Sequence, residues 1–281
     1  MIQLKTAAEV AKMRVAGLVV GHALEAVKAA VAPGVTTADL DAVAEDHIRA
    51  AGAVPSFKGY HGFPATICAS VNDEIVHGIP SPLRVLKEGD IVSIDCGAVA
   101  DGWHGDAAVT VPVGEVSPQL VELMQVCEEA LWRGFAAARL GGRLTDISAA
   151  VEATVRKAAG PDGQRSGRIF GLVEEYVGHG IGTEMHQEPP VPNYGRPGRG
   201  PRLRKGLVLA VEPMINMGSR HTRLLDDGWT VVTGDGSRSA HFEHTFTLTD
   251  EGPWVLTALD GGATKLAKLT TAAAPAVPKG S

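Results

Sequence analysis

Five side chains of this sequence have the types and surroundings expected of a metal centre. They are four carboxylates and one imidazole: Asp95, Asp106, His179, Glu212 and Glu243. Each lies in or beside an apolar or glycine-rich run, where an unpaired buried charge would cost several kcal/mol. No Lys or Arg is interleaved with them to make an ordinary ion-pair network. The set therefore predicts two divalent ions that share bridging carboxylates.

The chemistry that such a centre supports is hydrolysis. Oxygen-rich ligation with one imidazole suits Mn, Co, Fe(II) or Zn. Two such ions about 3.5–4 Å apart lower the pKa of a shared water toward neutrality and stabilise a tetrahedral intermediate.

The spacing of the two aspartates predicts a hairpin. Asp95 and Asp106 flank the turn signal at residues 100–102, and their positions are nearly symmetric about it. Antiparallel pairing would then set the two carboxylates side by side on neighbouring strands. Taken alone, such a pair is also typical of an ordinary turn or sheet edge. His179 stands among three glycines, which permit close backbone approach and unusual φ angles.

The elements that must position these residues recur in the same order. A capping box at Thr6 begins a helix to about Val31, and Thr36 or Thr37 begins a second one to Gly52. Ser117-Pro118 begins a third helix to about Arg139, and Thr145 or Asp146 a fourth to Gly160. Strands are predicted at residues 65–71, 90–96, 107–113, 206–212, 229–233 and 239–249.

The repeated order, two helices and then strands, indicates a duplicated half. Residues 32–40 resemble residues 140–147. A duplication predicts one α+β domain over residues 1–260, with halves at about 1–113 and 114–260, helices behind a curved antiparallel sheet and a cleft on its other face. Two unrelated α+β domains are the alternative. Residues 261–281 are rich in Ala, Thr, Lys and Pro, so they are predicted to be a disordered tail with little part in catalysis.

Composition excludes several classes of protein. The 281 residues are 44% hydrophobic with a net charge of −6, which argues against a nucleic-acid binder with a basic stripe. Three cysteines without CxxC spacing predict neither a disulfide framework nor a zinc ribbon. No targeting segment is evident, and no apolar run reaches about 18 residues. We expect a cytoplasmic monomer that contacts neither DNA nor a membrane.

The five residues in this order, at spacings of 11, 73, 33 and 31, resemble the type I methionine aminopeptidases, which have the pita-bread fold. The supporting strings are GYHGFP (59–64), NDEIVHGIP (72–80), GHGIG (178–182), VEP (211–213) and FEHT (242–245). The resemblance covers about residues 1–259. It implies two pseudo-symmetric halves with a curved antiparallel sheet and helices on its outer face.

The resemblance also implies roles at the metal centre. Asp95 would bind one ion, His179 and Glu212 the other, and Asp106 and Glu243 would bridge them. Hydroxide on the metals would attack the scissile carbonyl, with Glu212 as proton acceptor. The implied activity is removal of an N-terminal methionine whose neighbour has a small side chain.

Further residues are matched to catalysis and substrate binding by the same resemblance. His77 would face the substrate and help with the amide or leaving group, and His186 would donate a hydrogen bond to the carbonyl oxygen. The methionine pocket would be lined by His77 together with Tyr60, Phe63, Cys68 and Trp229. Loop histidines are otherwise commonly solvated. No catalytic role is predicted for six further histidines, which are His22, His47, His104, His221, His241 and His244.

The alternatives are two other enzyme classes of this fold and a metal-free binding protein. A prolidase or proline-specific aminopeptidase usually carries a long N-terminal domain, whereas here the first helix begins by Thr6. A type II methionine aminopeptidase would insert a subdomain between Glu212 and Glu243, which are 31 residues apart. A metal-free binding protein of this fold would have lost some of the five metal-binding residues, whereas all five are present here. The resemblance implies the nascent-chain N-terminus as partner, with at most weak, salt-sensitive ribosome contact.

Overall fold

The computed structural model describes residues 1–160 and 170–273, with side chains described as far as residue 269. Its α-helices are α1 (Ala7–Ala30), α2 (Thr37–Ala50), α3 (Pro118–Ala137), α4 (Leu144–Ala159) and α5 (Ala263–Ala273). A short 3₁₀ turn spans Tyr60–Gly62. No helix in the described ranges has the length and apolar character needed to cross a bilayer.

The strands follow in chain order. In the first half they are β1 (Val54–Pro55), β2 (Ile67–Val71), β3 (Glu74–Val76), β4 (Ile91–Ala100) and β5 (Trp103–Pro112). In the second half they are β6 (Gly171–Leu172), β7 (Gly178–Gly180), β8 (Gln187–Val191), β9 (Val208–Val211), β10 (Met214–Asn216), β11 (Thr222–Leu224), β12 (Val231–Thr233), β13 (Ser239–His241), β14 (Glu243–Thr249) and β15 (Gly252–Val255).

Side-chain caps begin three of the helices where the sequence predicts them. Thr6, Thr36 and Ser117 each accept a hydrogen bond from the backbone of the first turn. The prediction for α4 is wrong by one or two residues, because the helix begins at Leu144. The Asp146 carboxylate accepts the Arg143 N–H at 2.7 Å, so Asp146 stands inside the first turn and not at the cap.

One large antiparallel sheet positions most of the candidate residues. Its order is β1-β4-β5-β14-β9-β7-β8, with β2 also pairing with β4 and β15 with β14. Side chains alternate between its two faces. On one face, α1 and α2 bury an apolar cluster against β2 and β4, and α3 and α4 bury another against β9 and β14. The predicted α+β class, with helices on the outer face of a curved antiparallel sheet, is confirmed.

Equivalent hydrogen bonds recur in the two halves. The Gly34 N–H donates to the Leu86 carbonyl at 2.8 Å, and the Gly141 N–H donates to the Leu203 carbonyl at 2.8 Å. Both bonds fasten the turn between two helices to the segment that leads into the sheet. This recurrence is the pattern expected of pseudo-symmetric halves.

The prediction of a disordered tail from residue 261 is wrong for residues 263–273, which form α5. Leu266 and Leu269 lie three residues apart, on one face of the helix, and pack against the apolar cluster under α3. The Lys265 ammonium lies 2.6 Å from a carboxylate oxygen of Glu128 on α3. The amino-acid composition of this segment does not reveal the amphipathic spacing of its leucines. Residues 274–281 lie outside the described part of the chain.

Candidate active site

The cleft face of the sheet carries a cavity of about 260 Å³. It lies opposite the helices, since residues adjacent in sequence to the candidate ligands, such as Ile94, Cys96 and Ala107, pack against α1 and α2. All the site residues that the sequence predicts line this cavity: Asp95, Asp106, His179, Glu212, Glu243, His77, His186, Tyr60, Phe63, Cys68 and Trp229. The structure therefore brings these residues together, while their roles stay predictions.

Five neighbouring strands each supply one candidate ligand. Across the sheet the order is Asp95 on β4, Asp106 on β5, Glu243 on β14, Glu212 directly after β9, and His179 on β7. The sheet thereby brings together residues that are up to 148 positions apart in the chain.

The strand register shows how the carboxylates share one face. Ala108 of β5 pairs with Asp95 on one side and with Glu243 on the other, so these three residues lie in line across the sheet. Asp106 pairs with Gly97 and so lies diagonally from Asp95. The predicted side-by-side placement of the two aspartates on neighbouring strands is confirmed, with the two residues offset along the hairpin.

The four carboxylates lie too close together to share this site as ordinary anions. Burial raises the pKa of Asp95 to about 7. Burial, and then the charges of neighbouring carboxylates, raise the pKa values of Asp106, Glu212 and Glu243 well above their ordinary range. One oxygen each of Asp95, Asp106 and Glu243 is buried without a hydrogen-bond partner among the described residues. Such unpartnered anionic oxygens fit divalent cations.

The His179 ring is held in the form that binds metals. Its Nδ1–H donates to the Gly180 carbonyl at 2.9 Å, which leaves the Nε2 lone pair free. Nε2 lies 3.7 Å from a Glu212 oxygen and 3.9 Å from an Asp106 oxygen. Burial lowers the pKa of His179 to about 3, so the ring is neutral. Ligand atoms of Asp106, His179 and Glu243 all lie within 4.8 Å of one another.

The glycines around His179 allow the backbones of neighbouring strands to approach β7 closely. A Cβ at Gly178 would lie 2.3 Å from the Ala210 carbonyl oxygen, and one at Gly180 would lie 2.3 Å from that of Glu188. Only glycine therefore lets β7 pass between β8 and β9 at this point. The expectation of unusual φ angles here is wrong, because none of the three glycines in this string has a positive φ.

Two more histidines face the cavity. His186 packs edge to face on His179, with ring centroids 4.4 Å apart, and its Nδ1 lies 2.9 Å from the Tyr60 hydroxyl. His77 adopts a positive φ of 59° and packs against Trp229, with ring centroids 6.3 Å apart. Burial lowers the pKa of His77 to about 4 and also lowers that of His186. Both rings are therefore neutral hydrogen-bonding groups.

An apolar recess adjoins the carboxylates. It is a cluster of Phe57, Phe63, Ala65, Cys68 and Met185, with Tyr60, Ile79 and Trp229 packed against it. Cys68 pairs with Asp95 across β2 and β4, which places the thiol beside the metal ligands. Burial, and then the Asp95 charge, raise the pKa of Cys68, so it is an uncharged thiol.

Sequence reasoning missed His241. Its Nε2 lies 3.7 Å from Glu212 and 4.0 Å from Glu243, and Glu212, His241 and Glu243 form a second cluster of potential ligand atoms. The signal in the sequence was the alternation of side chains along a strand, which repeats every two residues. His241 and Glu243 flank Phe242, which packs into the helix-side core, so both lie on the side away from the helices.

Known proteins resemble this chain in both sequence and fold. A family model described as Metallopeptidase family M24 matches residues 11–250. Methionine aminopeptidase 1 of Mycobacterium tuberculosis is 54% identical over 253 residues, which are 90% of this chain and 94% of that protein. The chain belongs to metallopeptidase family M24 and, within it, to the methionine aminopeptidases.

Two other methionine aminopeptidases are similar to this chain over nearly its whole length. The methionine aminopeptidase of Clostridium acetobutylicum is 51% identical over 257 residues, which are 92% of this chain and 99% of that protein. The crystal structure of the methionine aminopeptidase from Thermotoga maritima superposes with a TM-score of 0.87 at 44% identity, covering 92% of this chain and 100% of that one. Membership of family M24 implies that this chain binds a divalent metal, and the carboxylate cluster offers candidate ligands for it.

The raised carboxylate pKa values make the stability of the metal-free enzyme depend on pH. The pKa of Asp95 is about 7 in the folded state against an ordinary value of 3.8, so between these values the folded state binds more protons. Its contribution to stability is therefore present at low pH and is lost as pH rises from about 4 to 7. In chelator, we expect the unfolding temperature of Asp95→Asn relative to the unmodified enzyme to increase across this window.

Differential scanning calorimetry at several pH values measures that difference. Asp101→Asn, in the exposed turn of the same hairpin, is the control and should show no trend. A difference for Asp95→Asn that stays flat or declines as pH rises would contradict the buried, protonated state of the Asp95 carboxylate.

Proposed function

We propose that this enzyme uses two divalent ions to remove the N-terminal methionine from peptides and nascent proteins whose second residue is small. The observation that carries the proposal is the row of five ligand residues on neighbouring strands, beside a recess lined by aromatic rings and thiol or thioether sulfur. The names of relatives at 49–54% identity, all methionine aminopeptidases, support the same substrate.

The residues that would hold the ions follow from their positions in the row. Asp106 and Glu243 occupy the two adjacent central strands, where their unpartnered oxygens suit bridging between ions. Asp95 lies to one side of them, and His179 and Glu212 lie to the other. When bound, the ions (Mn, Co, Fe(II) or Zn) would polarise the scissile carbonyl and lower the pKa of a water.

Glu212 is placed to hold the proton that the attacking water loses. In the metal-free site, burial and then the Asp95 charge raise its pKa well above the ordinary value, so the carboxylate can hold a proton there. Its side chain is 14% exposed at the floor of the cavity, so it can reach a water there. The same proton can then pass to the leaving amine.

His186 is placed to stabilise charge on the carbonyl oxygen. The Tyr60 hydroxyl can donate to His186 Nδ1, which lies 2.9 Å away, and this places the ring proton on Nε2. An Nε2–H beside the ligand cluster is then a fixed donor for the developing oxyanion. His77, held by its contact with Trp229, would orient the peptide from the opposite wall.

The recess fits an unbranched thioether side chain. Phe63 and Trp229 pack edge to face with ring centroids 5.1 Å apart, which presents aromatic edges to the cavity. Methionine sulfur makes favourable contacts with such edges. A cavity of about 260 Å³ that also holds the reacting groups leaves little room for a large second residue.

A peptide panel with metal titration tests the proposal. The chelated enzyme should not cleave Met-Ala-Ser, and added Mn²⁺ or Co²⁺ should restore methionine release in proportion to the ion bound. Met-Arg-Ser should be cleaved far more slowly than Met-Ala-Ser. Activity that survives thorough chelation would contradict the metal dependence, and faster hydrolysis of Xaa-Pro dipeptides than of Met-Ala-Ser would favour a prolidase.

A further inference from the structure

His241 is a buried imidazole whose hydrogen bonds are not satisfied by the described protein atoms. Its side chain is 1% exposed, and neither Nδ1 nor Nε2 has a hydrogen-bond partner among the described residues. Leaving a buried polar atom unsatisfied costs about 1–3 kcal/mol. A role at the neighbouring carboxylates would offset that cost.

The backbone around His241 fixes where its ring lies. The His241 N–H donates to the Thr110 hydroxyl at 2.8 Å, and that hydroxyl donates back to the His241 carbonyl at 2.9 Å. These bonds tie β13 to β5 beside the ligand row. The ring then lies with Nε2 3.7 Å from Glu212 Oε2 and 4.0 Å from Glu243 Oε2.

Comparison with His179 indicates which nitrogen of His241 carries the proton. The Nδ1–H of His179 donates to the Gly180 carbonyl, which frees Nε2 to bind metal. Nδ1 of His241 has no acceptor among the described residues, so a proton there would be an unsatisfied buried donor. With the proton on Nε2, the donor instead faces two carboxylates. The geometry therefore favours a donor at Nε2 over a second imidazole ligand.

We propose that His241 is a positioning residue of the metal centre, whose Nε2–H donates to Glu212 Oε2 and thereby directs Oε1 toward the ion. This inference rests on the proposed function, because it requires that metal binds beside Glu212. Glu212 lies between two imidazoles, with Oε1 3.7 Å from His179 Nε2 and Oε2 3.7 Å from His241 Nε2. A shift of roughly 0.5–1 Å in Oε2 brings it within hydrogen-bond distance of His241.

Metal binding to the chelated enzyme tests this role without reference to turnover. In calorimetric titration with Mn²⁺, His241→Leu should weaken binding about 10–100-fold, the usual cost of removing a partner of a metal ligand. His241→Gln keeps an N–H donor near the same place, so it should bind Mn²⁺ within about threefold of the unmodified enzyme. Thermal melting in chelator shows whether each variant is folded.

A partly buried histidine on the next strand supplies the matched control. His244 faces the helices, where its Nδ1 lies 2.8 Å from the Thr257 hydroxyl and its ring packs on Trp132. His244→Leu should lower the melting temperature and leave Mn²⁺ affinity unchanged.

Two results would overturn the inference. Unchanged Mn²⁺ affinity in His241→Leu would show that Glu212 needs no support from this ring. Equal weakening in His241→Gln and His241→Leu would show that the imidazole itself binds the ion. If the unmodified enzyme bound no Mn²⁺ or Co²⁺, the proposed function would be wrong, and not merely the role of His241.

Discussion

Substituting Asn for Asp106 should abolish methionine release and lose bound metal. The Asp106 side chain is buried with an unpartnered oxygen between the carboxylates of Asp95 and Glu243, so it is the member of the row best placed to bridge two cations. A neutral amide bridges cations poorly. Because metal ions supply several kcal/mol of transition-state stabilisation, kcat should fall by about 10³-fold or more.

Metal content after dialysis and the rate on Met-Ala-Ser together measure this effect. The backbone N–H of Asp106 donates to the Thr245 hydroxyl at 3.2 Å and does not involve the carboxylate, so the fold should persist. Asp101→Asn, in the exposed turn of the same hairpin, should keep both metal and activity. An Asp106→Asn enzyme with two tightly bound ions per chain would show that the bridging assignment is wrong.

His186→Ala should keep its metal while losing rate. The ring contacts His179 and the Tyr60 hydroxyl but belongs to neither cluster of potential ligand atoms among the described residues. Removing one donor to a developing oxyanion costs about 10²–10³-fold in kcat. KM should change much less, since the donor acts mainly on charge that develops during reaction.

Steady-state kinetics on Met-Ala-Ser, with metal analysis of the same samples, separates the possibilities. Tyr60→Phe removes only the hydroxyl that orients the ring, so its loss in kcat should be smaller than that of His186→Ala. Exposed His221→Ala is the control and should behave as the unmodified enzyme. Loss of metal from His186→Ala would make His186 a ligand instead of a donor.

The parts of the fold that depend on local signals were predictable from the sequence. Capping side chains at Thr6, Thr36 and Ser117 satisfy the first N–H groups of a helix within a few residues, so the sequence contains both partners. The ligand set was predictable because buried carboxylates in apolar strands are costly without cations.

The parts that depend on the sheet were less predictable. Near-symmetry about the turn predicts that the two aspartates lie side by side on neighbouring strands but does not give the residue pairs: Ala100 pairs with Trp103, which puts Asp106 opposite Gly97. His241 was judged unimportant because its value depends on lying beside Glu212, whose strand is not its sequence neighbour. The helix α5 was missed because composition was considered without the spacing of its leucines.

Because the five candidate ligands are divided between the two halves of the chain, a complete metal centre forms only when the halves associate. Asp95 and Asp106 come from the first half, whereas His179, Glu212 and Glu243 come from the second. In the large sheet the halves pair at β5 and β14, through Glu243 with Ala108 and His244 with Ala107, and β3 pairs with β12. A chain cut between Pro112 and Pro118 would therefore yield two fragments, neither with a complete centre. Recovery of activity on mixing them would measure their association directly, as in a split enzyme.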